Sequence, residues 1–298
     1  MKPPSSSAAS RTGPTGGSRY LPTKFDPARP VGVIAGRGLY PQLSVRALRA
    51  AGVPVRLIAF QDETASELLD SFPESEREII KVGQVGRMLK ALRDFEAGAA
   101  IMAGQIRPRR LFDVRPDLKG IALLASLREH NAESIFGALA REIENIGVPL
   151  LDARAFLDHE LATVGVMTGG RQRIDQETVD YGVRIAQAVA KLDIGQGVVV
   201  SGGTVIAVEA FEGTDPMLRR AGELGAKEPL FVKTAKPKQD FRFDVPVFGR
   251  TTLEVMREAG ISAAALAAGA TLILEKEAVL AEAREAKIQL IGYDDAKS

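Results

Sequence analysis

The sequence predicts an α/β fold in two parts: a Rossmann-like parallel-sheet domain at the N-terminus and a distinct α/β domain at the C-terminus. Three observations carry this. Strand-like apolar runs alternate with helical patterns from Val31 to Leu151, the signature of a parallel sheet with right-handed crossovers. A mixed stretch, 152–172, then ends in the breaker Gly169-Gly170-Arg171. Beyond it the chain changes style, with a β-hairpin signal among helices. A length of 298 residues suits about two domains of ordinary size. The expected division is therefore a leader at 1–30, a nucleotide-fold-like domain at 31–151, a linker at 152–172 and a catalytic α/β domain at 173–298.

Residues 1–30 hold six of the sixteen prolines, with five basic residues against the single Asp26, and no apolar h-region. That composition predicts a disordered leader and no signal peptide. Val31–Ala35 reads as a buried parallel strand. Gly36-Arg37-Gly38 follows, and Pro41 suits a first helical turn. Further strands are expected at Val53–Phe60, Ile79–Val82 and Ala99–Ala103, with a helix at Val85–Phe95 whose Met88, Leu89 and Leu92 share a face. After a basic loop come helices at Ile121–Arg128 and Ala132–Ile146, then a short strand at Val148–Leu151.

In the second half a helix spans Gln176–Leu192. Two β-branched runs, Val198–Ser201 and Thr204–Val208, flank Gly202-Gly203, a hairpin signal. Thr214 or Asp215, followed by Pro216, starts a helix reaching Leu224. Leu230–Thr234 and Phe241–Val247 read as strands. Thr251-Thr-Leu-Glu254 reads as a capping box opening a helix that ends at Gly260. Ala263–Leu266 and Leu272–Leu274 look extended, Lys276–Ala286 helical, and Ile288–Ile291 a last strand.

Composition excludes several classes of function. With 39 basic and 38 acidic residues the net charge is +1, which argues against a nucleic-acid binder. The absence of cysteine removes disulfides, zinc–thiolate sites, iron–sulfur clusters and cysteine nucleophiles, and suits a reducing compartment. Two histidines, His130 and His159, are too few for imidazole-rich chemistry. No apolar run reaches the roughly 18 residues of a membrane span.

Three segments can carry chemistry. Gly36, Arg37 and Gly38 lie between strand and helix, where doubly wound sheets bind anions. Gly104, Gln105 and Arg107 follow the fourth strand on the same carboxyl edge, with Arg109, Arg110 and Arg115 behind them. The third segment is Lys233-Thr-Ala-Lys236-Pro-Lys238-Gln239-Asp240-Phe241-Arg242-Phe243-Asp244. As a strand it would place Asp240, Arg242 and Asp244 on one face, with Phe241, Phe243 and Val245 on the other. Paired carboxylates can hold Mg²⁺, and the cations can neutralise phosphoryl oxygens. Glu209, Glu212 and Asp215 add a further acidic cluster, although helix capping by Thr214 or Asp215 alone would explain it.

Five segments recur together in one known family. They are Gly-Gln-Ile-Arg-Pro at 104–108, Val-Arg-Pro-Asp at 114–117, Leu-Asp-Ile-Gly-Gln at 192–196, Val-Glu-Ala-Phe-Glu-Gly-Thr-Asp at 208–215 and Lys-Pro-Lys-Gln-Asp-Phe-Arg-Phe-Asp-Val-Pro at 236–246. Over about residues 30–294 the chain resembles the UDP-2,3-diacylglucosamine pyrophosphatases of lipid A biosynthesis, the type unrelated to calcineurin-like phosphoesterases. The resemblance implies Mg²⁺-dependent hydrolysis of a lipid-linked UDP-sugar to UMP and 2,3-diacylglucosamine 1-phosphate, at a site between the two domains. It matches the family's essential aspartate to Asp240.

The expected catalytic residues are then Asp240, Lys238 and Arg242. The expected substrate contacts are Gly36, Arg37, Gly38, Gly104, Gln105, Arg107, Thr214, Lys233, Lys236 and Gln239. Asp240, Asp244 and Glu212 are the expected Mg²⁺ ligands. A cytoplasmic enzyme touching the inner membrane peripherally through Arg107, Arg109 and Arg110 is expected, with a homodimer left open. Two alternatives from other classes remain: a nucleotide-binding oxidoreductase, and a non-catalytic nucleotide or lipid sensor.

Overall fold

A computed structural model describes residues 17–106, 116–129 and 131–294. In the first half, β1 (Val31–Ala35), β2 (Val55–Phe60), β3 (Arg77–Ile80) and β4 (Ala99–Ala103) form an all-parallel sheet of order β3-β2-β1-β4. Val31 sits level with both Val55 and Ala99. Every residue of β1 and β4 is buried, as expected of a sheet covered on both faces.

The two faces follow strand alternation. Val31, Val33 and Ala35 pack with α1 (Tyr40–Ala50). Ile34, Ala100 and Met102 pack with α3 (Val85–Asp94), α4 (Leu118–Ala125) and α5 (Ala132–Asn145). A short helix, α2 (Ser66–Asp70), lies between β2 and β3. This is the predicted parallel α/β half. The expected strand at Val148–Leu151 reduces to one bridge, Ala100 to Leu150.

The second half has a mixed sheet of order β5-β12-β10-β8-β6-β7. Its members are β5 (Gly165–Val166), β6 (Gly197–Ser201), β7 (Thr204–Val208), β8 (Leu230–Lys233), β10 (Ala263–Ala267) and β12 (Gln289–Tyr293). Strands β8, β10 and β12 are parallel. The β6–β7 hairpin turns at Gly202 and Gly203, both with positive φ (51° and 75°), which the primed two-residue turn demands. Helix α6 (Gln176–Lys191) covers one face, while α7 (Thr214–Glu223), α8 (Arg250–Glu258) and α9 (Lys276–Glu285) cover the other.

Four expectations need correction. Phe241–Val247 is not a strand; only Val247–Phe248 is extended, as β9 paired in parallel with β11 (Leu272–Ile273). Asp240 instead opens a turn, its carbonyl accepting from the N–H groups of Phe243 (3.2 Å) and Asp244 (3.0 Å). Helix α8 begins after Gly249 with no side-chain cap, so the Thr251–Glu254 capping box does not form.

Within 17–30, assigned to the leader, Tyr20, Leu21 and Phe25 pack against the core of the first half: the Tyr20 hydroxyl donates to the Gly269 carbonyl (3.1 Å) and Phe25 meets Phe156 edge-on. The stretch 152–172 is no loose linker either. Ala153, Ala155, Leu157 and Leu161 are buried in the core of the first half, and β5 closes the edge of the second sheet.

The two halves are welded. In the β9–β11 ribbon Val247 and Leu272 join the core of the first half, whereas Phe248 and Ile273 join that of the second.

Candidate active site

The strand order places the switch point of the first sheet between β1 and β4, where open α/β sheets bind ligands. The sequence-named loops meet there. Arg37 and Gln105 exchange backbone hydrogen bonds (2.8 and 3.2 Å), and the Gly36 N–H donates to the Ala103 carbonyl (2.8 Å). A Cβ on Gly36 would stand 2.5 Å from the Gln105 carbonyl oxygen, and one on Gly104 would stand 2.6 Å from that of Arg37. These glycines are needed so that the two loops can touch. The N–H groups at 36, 37 and 105 are consumed in doing so. Gly38 faces open space, and the Arg37 side chain is exposed. Arg107, with Arg109, Arg110 and Arg115, lies outside the described residues.

At the carboxyl end of β8 a turn is built by side chains. Asp240 holds Arg242 in a fork: Oδ1 accepts from Nε (2.9 Å) and from the Arg242 N–H (3.1 Å), and Oδ2 accepts from Nη2 (2.6 Å). These bonds hold the Asp240 carboxyl below the usual carboxylate range and raise Arg242. Asp240 is therefore an acceptor and no proton donor near neutrality. Arg242 also donates through Nη1 to Glu144 on α5 (2.6 Å).

Lys236 contacts Asp193 and also Glu133 on α5 (3.2 Å). Desolvation pulls its ammonium pKa down, but the hydrogen bonds it donates to Asp193 and Glu133 outweigh this and raise it. Gln239 ties the turn shut, accepting from the Lys236 N–H (2.7 Å) and donating to the Asp244 carbonyl (2.9 Å). Burial pushes the Asp244 carboxyl up, against the attraction of Lys236. Lys238 is exposed and pairs with no described carboxylate.

A second chain of polar groups runs beneath. Lys233, only 8% exposed, donates through Nζ to the Thr214 hydroxyl (3.0 Å), which donates to Glu209 Oε1 (2.8 Å). Glu209 Oε2 is buried without a partner. Lys233, Thr214 and Glu209 are thus brought together. Glu212 is not part of this: it is exposed and held by Arg220 on α7 (2.6 Å). Among the described residues no three acidic or histidine side chains converge as a metal group. The set Asp240, Asp244 and Glu212 is therefore not assembled, while Asp240 and Asp244 share one turn.

The two phenylalanines of the motif face opposite ways. Phe243 packs into the core of the first half and stacks on Phe136 of α5 at 6.2 Å. Phe241 joins the second core, and the Arg154 guanidinium lies 3.5 Å from its ring centroid. Phe136 also lines an apolar cavity with Ile106, Phe60, Leu123 and Leu139. That cavity thus adjoins the switch-point loop through Ile106 and the motif turn through Phe136.

Sequence reasoning missed Asp152 and Arg154. They repeat the Asp-x-Arg fork of 240–242, with Nη2 to Oδ2 at 2.6 Å and Nε to Oδ1 at 2.9 Å. The repeated spacing was a usable signal. The Ala153 N–H donates to the Phe241 carbonyl (2.7 Å), so one fork braces the other. Glu63, 6% exposed at the carboxyl end of β2, also went unread.

Fold and site together define a two-part α/β protein suited to an amphiphilic anion, with lysines and an arginine beside an apolar cavity. Comparison with known proteins makes this specific. The LpxI N-terminal domain matches residues 30–160, the LpxI C-terminal domain matches residues 163–291, and the chain belongs to the LpxI family. UDP-2,3-diacylglucosamine pyrophosphatase LpxI of Caulobacter vibrioides is 31% identical over 288 residues, covering 89% of this chain and 98% of that protein.

Proposed function

We propose that the protein hydrolyses UDP-2,3-diacylglucosamine to UMP and 2,3-diacylglucosamine 1-phosphate, a step of lipid A biosynthesis, with Mg²⁺ as cofactor. The observation that carries this reading is the junction at Phe136 and Phe243, where a turn rich in charged groups meets an apolar cavity. The first suits a pyrophosphate and the second an acyl chain. The activity named for the Caulobacter relative supports it.

In this mechanism water attacks the phosphorus nearer the sugar. A new P–O bond forms, the bridging P–O bond breaks, and UMP leaves as the phosphate monoester. The protons of water end on the products or in solvent. Asp240, kept anionic by Arg242, would orient the water or help to hold the metal. Lys238 is free to meet a phosphoryl oxygen, and Arg242 and Lys236 can do so by exchanging one carboxylate partner each. Lys233 is pre-positioned through Thr214 and Glu209.

Mg²⁺ commonly takes one or two carboxylates together with substrate phosphates. Asp240 and Asp244 fit that mode, and the ion would neutralise charge developing on the pyrophosphate. Among the described residues no helix is long and apolar enough to cross a membrane. We assign the protein to the cytoplasmic face of the inner membrane as a peripheral protein.

The test is direct. Purified protein with Mg²⁺ and substrate should release UMP, EDTA should stop it, and added Mg²⁺ should restore it. Absence of UMP overturns the reaction. Full turnover in metal-stripped buffer overturns the metal requirement alone.

A further inference from the structure

Helix α4 is apolar on both sides. Gly120, Leu123 and Leu124 face inward and line the cavity. Leu118, Ile121, Ala122 and Ala125 form the opposite stripe, at the i, i+3, i+4, i+7 spacing of one helix face. That stripe is exposed, Leu118 at 87% and Ile121 at 52%. A helix apolar on two sides is ordinarily buried, and among the described residues only the inner side of this one is covered.

We propose that the outer face of α4 seats in the interfacial layer of a phospholipid bilayer, so that the cavity behind it communicates with the hydrocarbon. This rests on the proposed substrate and deepens it. A lipid with two acyl chains resides in a bilayer, and drawing a chain through water exposes every methylene on the way. A helix with one face in the bilayer and the other on the cavity removes that exposure.

The neighbouring polar groups suit such a seat. Lys119 donates to Glu142 (2.7 Å) at the margin of the stripe, and Arg128 lies exposed just past the helix. A second copy of the chain fits less well. Stable protein interfaces bury about 800 Å² per partner, far more than two large side chains and two alanines present.

The test uses the full chain with phosphatidylcholine–phosphatidylglycerol vesicles. Wild type should co-sediment, and the double variant Leu118→Ser with Ile121→Ser should partition at least about tenfold less, given the worth of one buried aliphatic side chain. Its turnover of detergent-dispersed substrate should stay near wild type, which also shows that it folds. A second measurement does not depend on that variant. The chain contains no tryptophan, so Leu118→Trp places the sole indole on the stripe, and its emission should shift to the blue when vesicles are added.

Failure of wild type to bind vesicles, equal binding by the double variant, or an unshifted indole overturns the proposal. So does a fall in oligomeric mass on gel filtration of the double variant, which would mark the stripe as a contact between copies. If wild type released no UMP from dispersed substrate, the proposed hydrolysis would fail, while co-sedimentation and emission would still read α4.

Discussion

The switch-point loops and the motif turn are held together by different means. Between β1 and β4 the contact is backbone to backbone, Arg37 against Gln105, with Gly36 and Gly104 making room. In the turn at 236–244 side chains do the holding: Gln239 closes it, Asp240 forks Arg242, and two phenylalanines anchor it to two cores. A site built from backbone is rigid and indifferent to most side chains. A site built from charged side chains can exchange partners for a substrate.

The largest expected effect falls on the turn. Asp240→Asn removes the charge that Arg242 stabilises and leaves a neutral amide of similar shape. Turnover should drop by about 10²–10³, the scale of losing one well-placed electrostatic group, while circular dichroism stays native. UMP release decides this, and near-wild-type turnover would move the catalytic role to Glu209 and its chain.

Phe243→Ala and Phe241→Ala separate the two anchors. Complete truncation of a buried phenylalanine costs about 3–5 kcal/mol, and these half-buried rings should cost less, about 1–3 kcal/mol each. Phe243→Ala should loosen the grip of the turn on α5 and broaden thermal unfolding as the halves uncouple. Phe241→Ala should destabilise the second half and leave unfolding cooperative. Identical melting profiles would remove the distinction between the anchors.

Gly104→Ala tests the backbone side of the comparison. At φ 88°, with Arg37 oxygen 2.6 Å from the new methyl group, strain and clash add. The expected loss is about 2–4 kcal/mol. Gly38→Ala carries the φ penalty alone, since φ is 93° but the space is open, and should cost about 1–2 kcal/mol. Chemical denaturation of both variants gives the order.

The same contrast explains what could be read from the sequence. Gly36, Gly38 and the Gly202-Gly203 turn were legible because left-handed backbone and close approach restrict residue type. The 240–245 stretch was misread because charged residues alternating with Phe and Val satisfy the strand template. What overrides it is local: the Asp240 carboxylate binds the N–H two residues on, and an aspartate turn outcompetes the strand. The bracing by Asp152 and Arg154 depends on a contact between segments some ninety residues apart, which periodicity does not encode. The exposed stripe of α4 was also missed, because amphipathic counting treats apolar helix residues as core.

The smallest effect is the acid dependence of the Asp240–Arg242 fork. Hydrogen bonds from Arg242 hold the Asp240 carboxyl below its usual range. A carboxyl depressed in the folded state binds fewer protons there than in the unfolded chain. Its contribution is therefore complete above the unfolded value and lost as pH falls through the folded one. Arg242→Gln should remove it, so the variant is less stable than wild type at neutral pH and the two converge in acid. Both side chains are about a third exposed (34% and 30%), so screening limits the gap at neutral pH to about 1 kcal/mol or less. Asp244 carries the opposite sign: burial raises its carboxyl, so its contribution is most favourable in acid and declines as pH rises through its folded value. Asp244→Asn should consequently gain on wild type as pH rises, the mirror image of Arg242→Gln. Urea titrations of the three proteins from neutral pH downward measure both slopes, and a gap for Arg242→Gln that widened in acid would show that the fork does not hold Asp240 in its charged form.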